Sequence, residues 1–409
     1  MGKISLRVGV CSDLDLEYHF KHMTSKKQLD YEQKQLDHFD RFIEVCLEKK
    51  IEILIISGNL FGTPKPKNYI LEKVVKGFHK LTSNGIYIFI LPSSYDTPLR
   101  YTMDRPIHYI FEDDDYIKIL LESVNAGEFD AKISNPVFHG EIKGIKINMF
   151  TVSSPRYFNR IQNLEFDLKI DKKNSNWFII SDFMAYKDKA GDIASNFFKK
   201  LDKTDIDLLL VGGIIPESID PSEYGFKTFH CPQIHKNNFD YSTNPSGLKI
   251  FDLNESKQIE DSGEIVEISS LDLKQEILDV NQRPIEKVNE SIKDLIDRSS
   301  NLKRLLQIKL YGTLNRDDYH KIKIFHLLKK ARKQNFYFDL ADLIEFQDTA
   351  PDIEGLSLIQ ELNNLVDYKI KTVKTEYQGS DVELKQKITT YNKSFNLIKK
   401  SWGIKEEEE

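Results

Sequence analysis

Three short runs in the first hundred residues set carboxylate, amide and hydroxyl side chains immediately after apolar stretches. Ser12-Asp13-Leu14-Asp15 follows the first stretch, Ser57-Gly58-Asn59 the second and Ser93-Ser94-Tyr95-Asp96 the third. Asp182, and Gly212-Gly213 with Ile214-Ile215, follow similar stretches further on. Carboxylates suit hard divalent cations, so Asp13 and Asp15 could together hold one weakly bound Mg²⁺ or Mn²⁺. Hydrolysing a phosphodiester with two ions about 3.5–4 Å apart demands more, an anionic bridge and several imidazoles. Taken alone, Asp13 and Asp15 read as turn residues and Asn59 as a loop asparagine. His230, Cys231 and His235 supply three zinc-ligand types, but a structural site wants a fourth, so packing is the plainer reading.

The elements that must position these runs follow from periodicity. Ser5 to Cys11, Ile51 to Ile56 and Ile86 to Leu91 are short apolar runs of the kind covered on both faces. Between them, Leu36, Phe39, Ile43, Cys46 and Leu47, then Ile70, Val74, Phe78 and Leu81, recur at helical spacing. The order β-α-β-α-β predicts a parallel sheet with its chemistry at the carboxyl ends of the strands. The middle of the chain changes style. Residues 137–142 and 145–150 flank Lys143-Gly144 as a hairpin. Trp177 to Ile180, Leu208 to Val211, Phe226 to Phe229 and Leu248 to Phe251 add strands, predicting two layers of sheet with helices outside. The first domain is expected over residues 1–253. A smaller α/β domain over 263–349 is expected from strands at 305–311 and 336–344 around a helix at 317–333.

The tail carries two apolar stripes. Ile359, Leu362, Val366 and Ile370 form the first, Leu384, Ile388, Tyr391, Phe395, Ile398 and Trp402 the second. Gln378-Gly379 breaks the pattern and Ser380 with Glu383 restarts it as a capping box. A helix-loop-helix over 353–404 is expected. A pair of helices buries little surface alone, so a partner surface weighs against packing on its own domain.

The three strand-end runs, with their spacing, resemble the calcineurin-like metallophosphoesterases and, within them, the SbcD (meiotic recombination eleven) DNA-repair nucleases. Those enzymes carry Asp-x-His, Gly-Asp-x-Phe-Asp and Gly-Asn-His-Asp after their first three strands, then a lone His and a Gly-His-x-His. Carried over by position, Asp13 stands at the first ligand and Asp15 replaces the histidine beside it. Asn59 replaces the bridging aspartate, Ser94 and Tyr95 replace the Asn-His pair, and Asp182 falls at the lone histidine. Gly213 and Ile215 replace the histidines of Gly-His-x-His. The resemblance implies an α/β fold with a two-layer β-sandwich flanked by helices, followed by a capping domain and a helical element gripping an SbcC-type coiled-coil ATPase. With most ligands replaced, no cofactor is expected.

The chain has 409 residues and a formal charge of −6, which argues against a protein that simply coats nucleic acid. A basic run is nevertheless present: Lys303, Arg304, Lys309, Arg316, Lys321, Lys323, Lys329, Lys330, Arg332 and Lys333. It reads either as a solvated face or as a phosphate-contacting surface. The three cysteines imply no disulfide framework, and no apolar run is long enough for a membrane span. The first residues enter a strand, so no signal peptide is expected and a cytoplasmic location is. The leading expectation is a catalytically degenerate SbcD-like homologue, a scaffold or regulator of DNA processing, as monomer or homodimer. The alternatives are a divergent phosphodiesterase using Asp13, Asp15 and Asp96 or Asp182, and a protein-protein adaptor without nucleic acid.

Overall fold

The structure is a computed structural model that describes residues 5–93, 95–97, 106–121, 132–152, 165–181, 190–213, 220–237, 239, 246–281 and 283–346, with residues 370, 371, 374, 384, 385 and 388–390 beyond them. The chain divides into two compact units, residues 1–314 with 318–345 and residues 315–317 with 346–409.

The first part alternates strand and helix: β1 (Ser5–Cys11), α1 (Ser25–Glu48), β2 (Ile53–Ser57), α2 (Asn68–Thr82), β3 (Tyr87–Leu91) and β4 (Ile117–Ile119). These four strands pair in parallel. Next come β5 (Lys132–Ile133), β6 (Phe138–Ile142), β7 (Ile145–Val152), β8 (Glu165–Phe166), β9 (Ser175–Ile180), α3 (Ala190–Leu201), β10 (Leu208–Val211) and β11 (Lys227–His230). The Lys143-Gly144 turn joins β6 to β7 antiparallel, with both residues at positive φ as a two-residue hairpin requires. After them, β12 (Leu248–Asn254) and β13 (Ile259–Val266) return to the first sheet. The two large sheets have orders β13-β12-β1-β2-β3-β4 and β11-β10-β9-β7-β6.

Alternation along the strands explains the layering. Val8, Val10, Ile53, Ile55 and Phe89 from the first sheet meet Ile147, Met149, Trp177, Ile179 and Leu208 from the second in one buried cluster. The opposite faces carry Cys11, Leu54 and Ile56 against Phe39, Val45 and Val74 of α1 and α2, and Phe178 and Leu209 against Phe197 and Phe198 of α3. Period-2 strands with both faces apolar thus give sheet on sheet with helices outside.

The third sheet departs from the sequence expectation in detail. It contains β14 (Asp272–Asp279), β15 (Asn301–Leu314) and β16 (Asn335–Phe346), with α4 (Ile285–Arg298), α5 (Arg316–His320) and α6 (Ile324–Gln334) between them. Periodicity missed β14 and α4 and read α5 and α6 as one helix; the break falls at Lys321 to Lys323, where Asn289 accepts the Lys323 N–H at 2.9 Å. Strand β13 pairs with β12 at Ile259 to Asp261 and again at Ile265 and Val266, so the first sheet runs beyond residue 253. Phe20, Met23 and Tyr31 pack on Leu273, Leu305, Phe336 and Tyr337, which ties the third sheet to the sandwich within one unit.

Candidate functional site

The loops after β1 and β2 are laced together by their backbones. The N–H of Asp13 donates to the Gly58 carbonyl at 3.2 Å, that of Asp15 to Asn59 at 2.9 Å and that of Leu16 to Leu60 at 3.2 Å. Asp13, Asp15 and Asn59 all have positive φ, at 49°, 45° and 34°. Asp and Asn are the non-glycine residues that tolerate this region best. The loops turn all three side chains inward, where each is at most 5% exposed.

Asp13 is closed by amides. Its Oδ1 accepts from Asn59 Nδ2 at 2.9 Å, and its Oδ2 from Gln233 Nε2 at 2.7 Å and from Ser12 Oγ at 3.2 Å. Chemistry fixes the orientation of Asn59. The Tyr95 N–H can only donate, and it reaches Asn59 Oδ1 at 3.4 Å. The Ser93 hydroxyl donates to the same oxygen, so the NH₂ end must face Asp13. Asp15 Oδ2 accepts from Asn237 Nδ2, and its carbonyl accepts from Gln35 Nε2 at 2.9 Å.

Asp96 does a different job. Its Oδ2 accepts from the Leu60 N–H at 2.7 Å and faces His108 Nε2 at 3.1 Å, while Oδ1 accepts from the Ser93 N–H at 2.8 Å. The carboxylate clamps the loop after β2 to the loop after β3. Both oxygens are occupied within the protein, which leaves Asp96 poorly suited to be a ligand. Between the two large sheets, the Ser57 hydroxyl at the end of β2 donates to the Ile180 carbonyl at the end of β9 at 2.9 Å. A Cβ on Gly212 would lie 2.2 Å from the Ser57 carbonyl oxygen, so only glycine allows the strand ends to approach this closely.

His230, Cys231 and His235 go separate ways. His230 Nε2 bonds the Gly213 carbonyl, and burial lowers its pKa. Cys231 is fully buried, its thiol pushed up by desolvation. His235 turns to His38 on α1, with Nε2 3.0 Å from His38 Nδ1. Donor chemistry sets this pair as well. The Ser270 N–H donates to His38 Nε2 at 3.0 Å, so Nδ1 carries the proton and donates to His235 Nε2. His235 Nδ1 then donates to the Leu14 carbonyl. Both imidazoles are neutral donor-acceptor links in a buried chain. Burial depresses both, His38 to about 4 with help from Lys34, and His235 to about 3 with help from His38. Among the described residues, no three His, Cys, Asp or Glu side chains are grouped to hold a metal ion.

Ser94, Asp182 and Ile215 lie outside the described residues, while Tyr95 is half exposed beside Tyr18, ring centroids 6.2 Å apart. Sequence reasoning missed Gln233, Asn237, His38 and His108 as members of the site. A signal existed for His38, which shares the buried face of α1 with Gln35 and Phe42. Gln233 and Asn237 carried none, because their partners are more than 200 residues away in the chain.

The basic run is spread over β15, α5, α6 and the link between the two helices, and three of its cations are matched by carboxylates. Arg304 is held by Asp272 at 2.6 Å, Lys330 by Asp297 at 2.5 Å and Lys321 by Asp318 at 2.8 Å. Lys309 is half-buried on β15, whereas Lys303, Lys323, Lys329, Arg332 and Lys333 are exposed. Arg316 falls in α5, with its side chain outside the described residues. In the tail, Ile370, Leu384 and Ile388 are helical and half-buried, and Ile359, Leu362, Val366, Tyr391, Phe395, Ile398 and Trp402 lie outside the described residues. No described helix is long and apolar enough to cross a membrane.

No family model matches the chain. It is similar, over part of its length, to proteins named DNA double-strand break repair protein Mre11. The match is 26% identical over 122 residues in Methanocaldococcus jannaschii, covering 29% of this chain and 32% of that protein. It is 26% over 164 residues in Methanococcus maripaludis, covering 38% and 41%. In Saccharolobus solfataricus it is 29% over 98 residues, covering 23% and 26%. The chain thus spans less than half the length of each of these relatives.

Proposed function

We propose that this chain is a DNA-repair-nuclease-like protein of the calcineurin-like metallophosphoesterase type whose two-metal centre has become a hydrogen-bonded amide cluster. The observation that carries this is the closure of Asp13: Asn59 and Gln233 place neutral NH₂ donors on both carboxylate oxygens. A dication in the same place would need those lone pairs. It would also meet the positive ends of two amide dipoles. A pair of dications needs an anionic bridge, and Asn59 supplies none. The described donor set therefore does not fit two metals, and no hydrolytic step is assigned. The likeness to three Mre11 proteins and the sheet-on-sheet architecture support the wider reading.

In that reading the protein is a scaffold or regulator in a DNA-processing complex. The third sheet and its helices act as a capping domain, and the C-terminal helices bind an SbcC-type ATPase. Divergent phosphodiesterase activity through Asp13 and Asp15 has no specific observation in its favour, since Asp96 is committed to backbone N–H groups.

Metal stoichiometry tests this directly. After dialysis against excess Mn²⁺, elemental analysis is expected to find close to no bound metal and no Mn²⁺-dependent cleavage of a phosphodiester. Asn59→Asp is expected to raise Mn²⁺ binding without creating activity, because the imidazole positions stay empty. Two ions per wild-type chain, or cleavage abolished by Asp13→Ala, would overturn the proposal.

A further inference from the structure

The junction between β16 and the segment before α1 encloses a concavity apart from the strand-end loops. A cavity of about 110 Å³ is lined by His22, Thr24, Lys27, Arg332, Phe336 and Tyr337, among others. That is well below the roughly 300–1,000 Å³ of pockets for drug-sized ligands. Its capacity suits one small group.

The lining is aromatic below and cationic above. The Lys27 ammonium lies 4.7 Å from the Phe336 ring centroid and that of Lys34 lies 5.7 Å away. Tyr337 is pinned by stacking on Phe20 at 4.9 Å and by donating its hydroxyl to the Lys21 carbonyl at 2.6 Å. Arg332 enters from the last turn of α6 and Lys27 from the first turn of α1.

Counter-charge separates these two cations from their neighbours. Lys330 on the same helix as Arg332 is matched by Asp297, and Lys67 is matched by Glu32 at 2.7 Å. Among the described residues, neither Lys27 nor Arg332 has a carboxylate within ion-pair distance. The protein brings two cations from separate elements to one small concavity, Lys27 over the Phe336 ring and neither against a carboxylate. Nor does the start of α1 supply one, since Thr24 makes no side-chain cap and the first turn has no acid.

We propose that this pocket binds a single phosphoryl group, held between the Arg332 guanidinium and the Lys27 ammonium with Thr24 and His22 at its rim. Free inorganic phosphate and the terminal phosphate of a nucleic-acid strand offer the same chemistry. Arg suits it through paired N–H donors, and Lys as a point charge. The assignment is independent of the reading of the metal site, because no residue is shared.

The test uses the full chain at fixed ionic strength. Inorganic phosphate is titrated against chloride with thermal unfolding as readout. In parallel, a short single-stranded oligonucleotide with a 5′-phosphate is compared with the same strand ending in hydroxyl. Phosphate is expected to raise Tm beyond chloride, or the phosphorylated strand to bind more tightly, with the arm that responds naming the source. Arg332→Gln and Lys27→Met are each expected to weaken the response by about tenfold or more. Arg332 is exposed and Lys27 half-buried, and Met keeps the packing over Phe336. Lys329→Ala, an exposed cation on the same helix, is the control and should leave the response intact. Responses equal to chloride and to the hydroxyl end would overturn the proposal. So would an equal loss in Lys329→Ala, which would reduce the effect to diffuse charge.

Discussion

Asp13 and Asp96 are buried in the strand-end loops, and each of their four oxygens accepts a hydrogen bond from an amide, hydroxyl, backbone N–H or imidazole partner. Along residues 303–333 the described cations are exposed or half-buried instead, and Arg304, Lys321 and Lys330 are matched by carboxylates. In the first region buried carboxylates are closed by neutral donors that come from several loops. In the second, cations adjacent in sequence are dispersed over a strand and two helices, and several are neutralised locally. Burial makes each partner in the first region costly to remove; solvent makes most partners in the second cheap to lose.

That contrast can be broken most directly at Asp96. Asp96→Ala strands the Leu60 and Ser93 N–H groups and His108 without their acceptor. The expected loss is about 3 kcal/mol or more of unfolding free energy, read from the urea midpoint at unchanged slope. A loss below about 1 kcal/mol would mean that the clamp does not hold the loops.

The buried imidazole chain should show itself in acid. His38 and His235 have folded pKa values below the ordinary 6.5, so the unfolded chain binds more protons once pH falls under that value. Stability is expected to decline from about pH 6.5 towards pH 4, each histidine adding up to ~1.4 kcal/mol per pH unit. Unfolding curves across this range, compared with a His38→Gln/His235→Gln variant, measure it. An equally steep decline in the variant would place the acid sensitivity elsewhere.

The smallest effect is expected in the basic run. Lys330→Ala removes a partly exposed pair with Asp297 and should shift stability by no more than about 1 kcal/mol. Thermal unfolding checks this, and a larger loss would show that the exposed region depends on its ion pairs as the buried one does on its hydrogen bonds.

Much of the sandwich was legible because its signal is local. Ile53 to Ser57 and Tyr87 to Leu91 are apolar enough to require cover on both faces, and both became central parallel strands. The Lys143-Gly144 turn announced its hairpin in two residues. Strand β14 was not legible, since Asp272 to Asp279 mixes charged and amide residues with few apolar ones and is held by pairing with β15. The break between α5 and α6 was hidden too, because the contact that marks it comes from Asn289 on a different helix.

At the strand ends the sequence by itself determined the residue types. On the resemblance, Asn59 stands where a carboxylate and Ile215 where an imidazole is expected, and neither offers the charge or the ligand that a pair of dications needs. Only the tertiary structure decided what these side chains meet, that Gln233 reaches Asp13, Asn237 reaches Asp15 and His235 reaches His38. The physical reason is range: side-chain chemistry belongs to each residue, whereas a hydrogen bond between groups some 200 residues apart exists only after both sheets have packed.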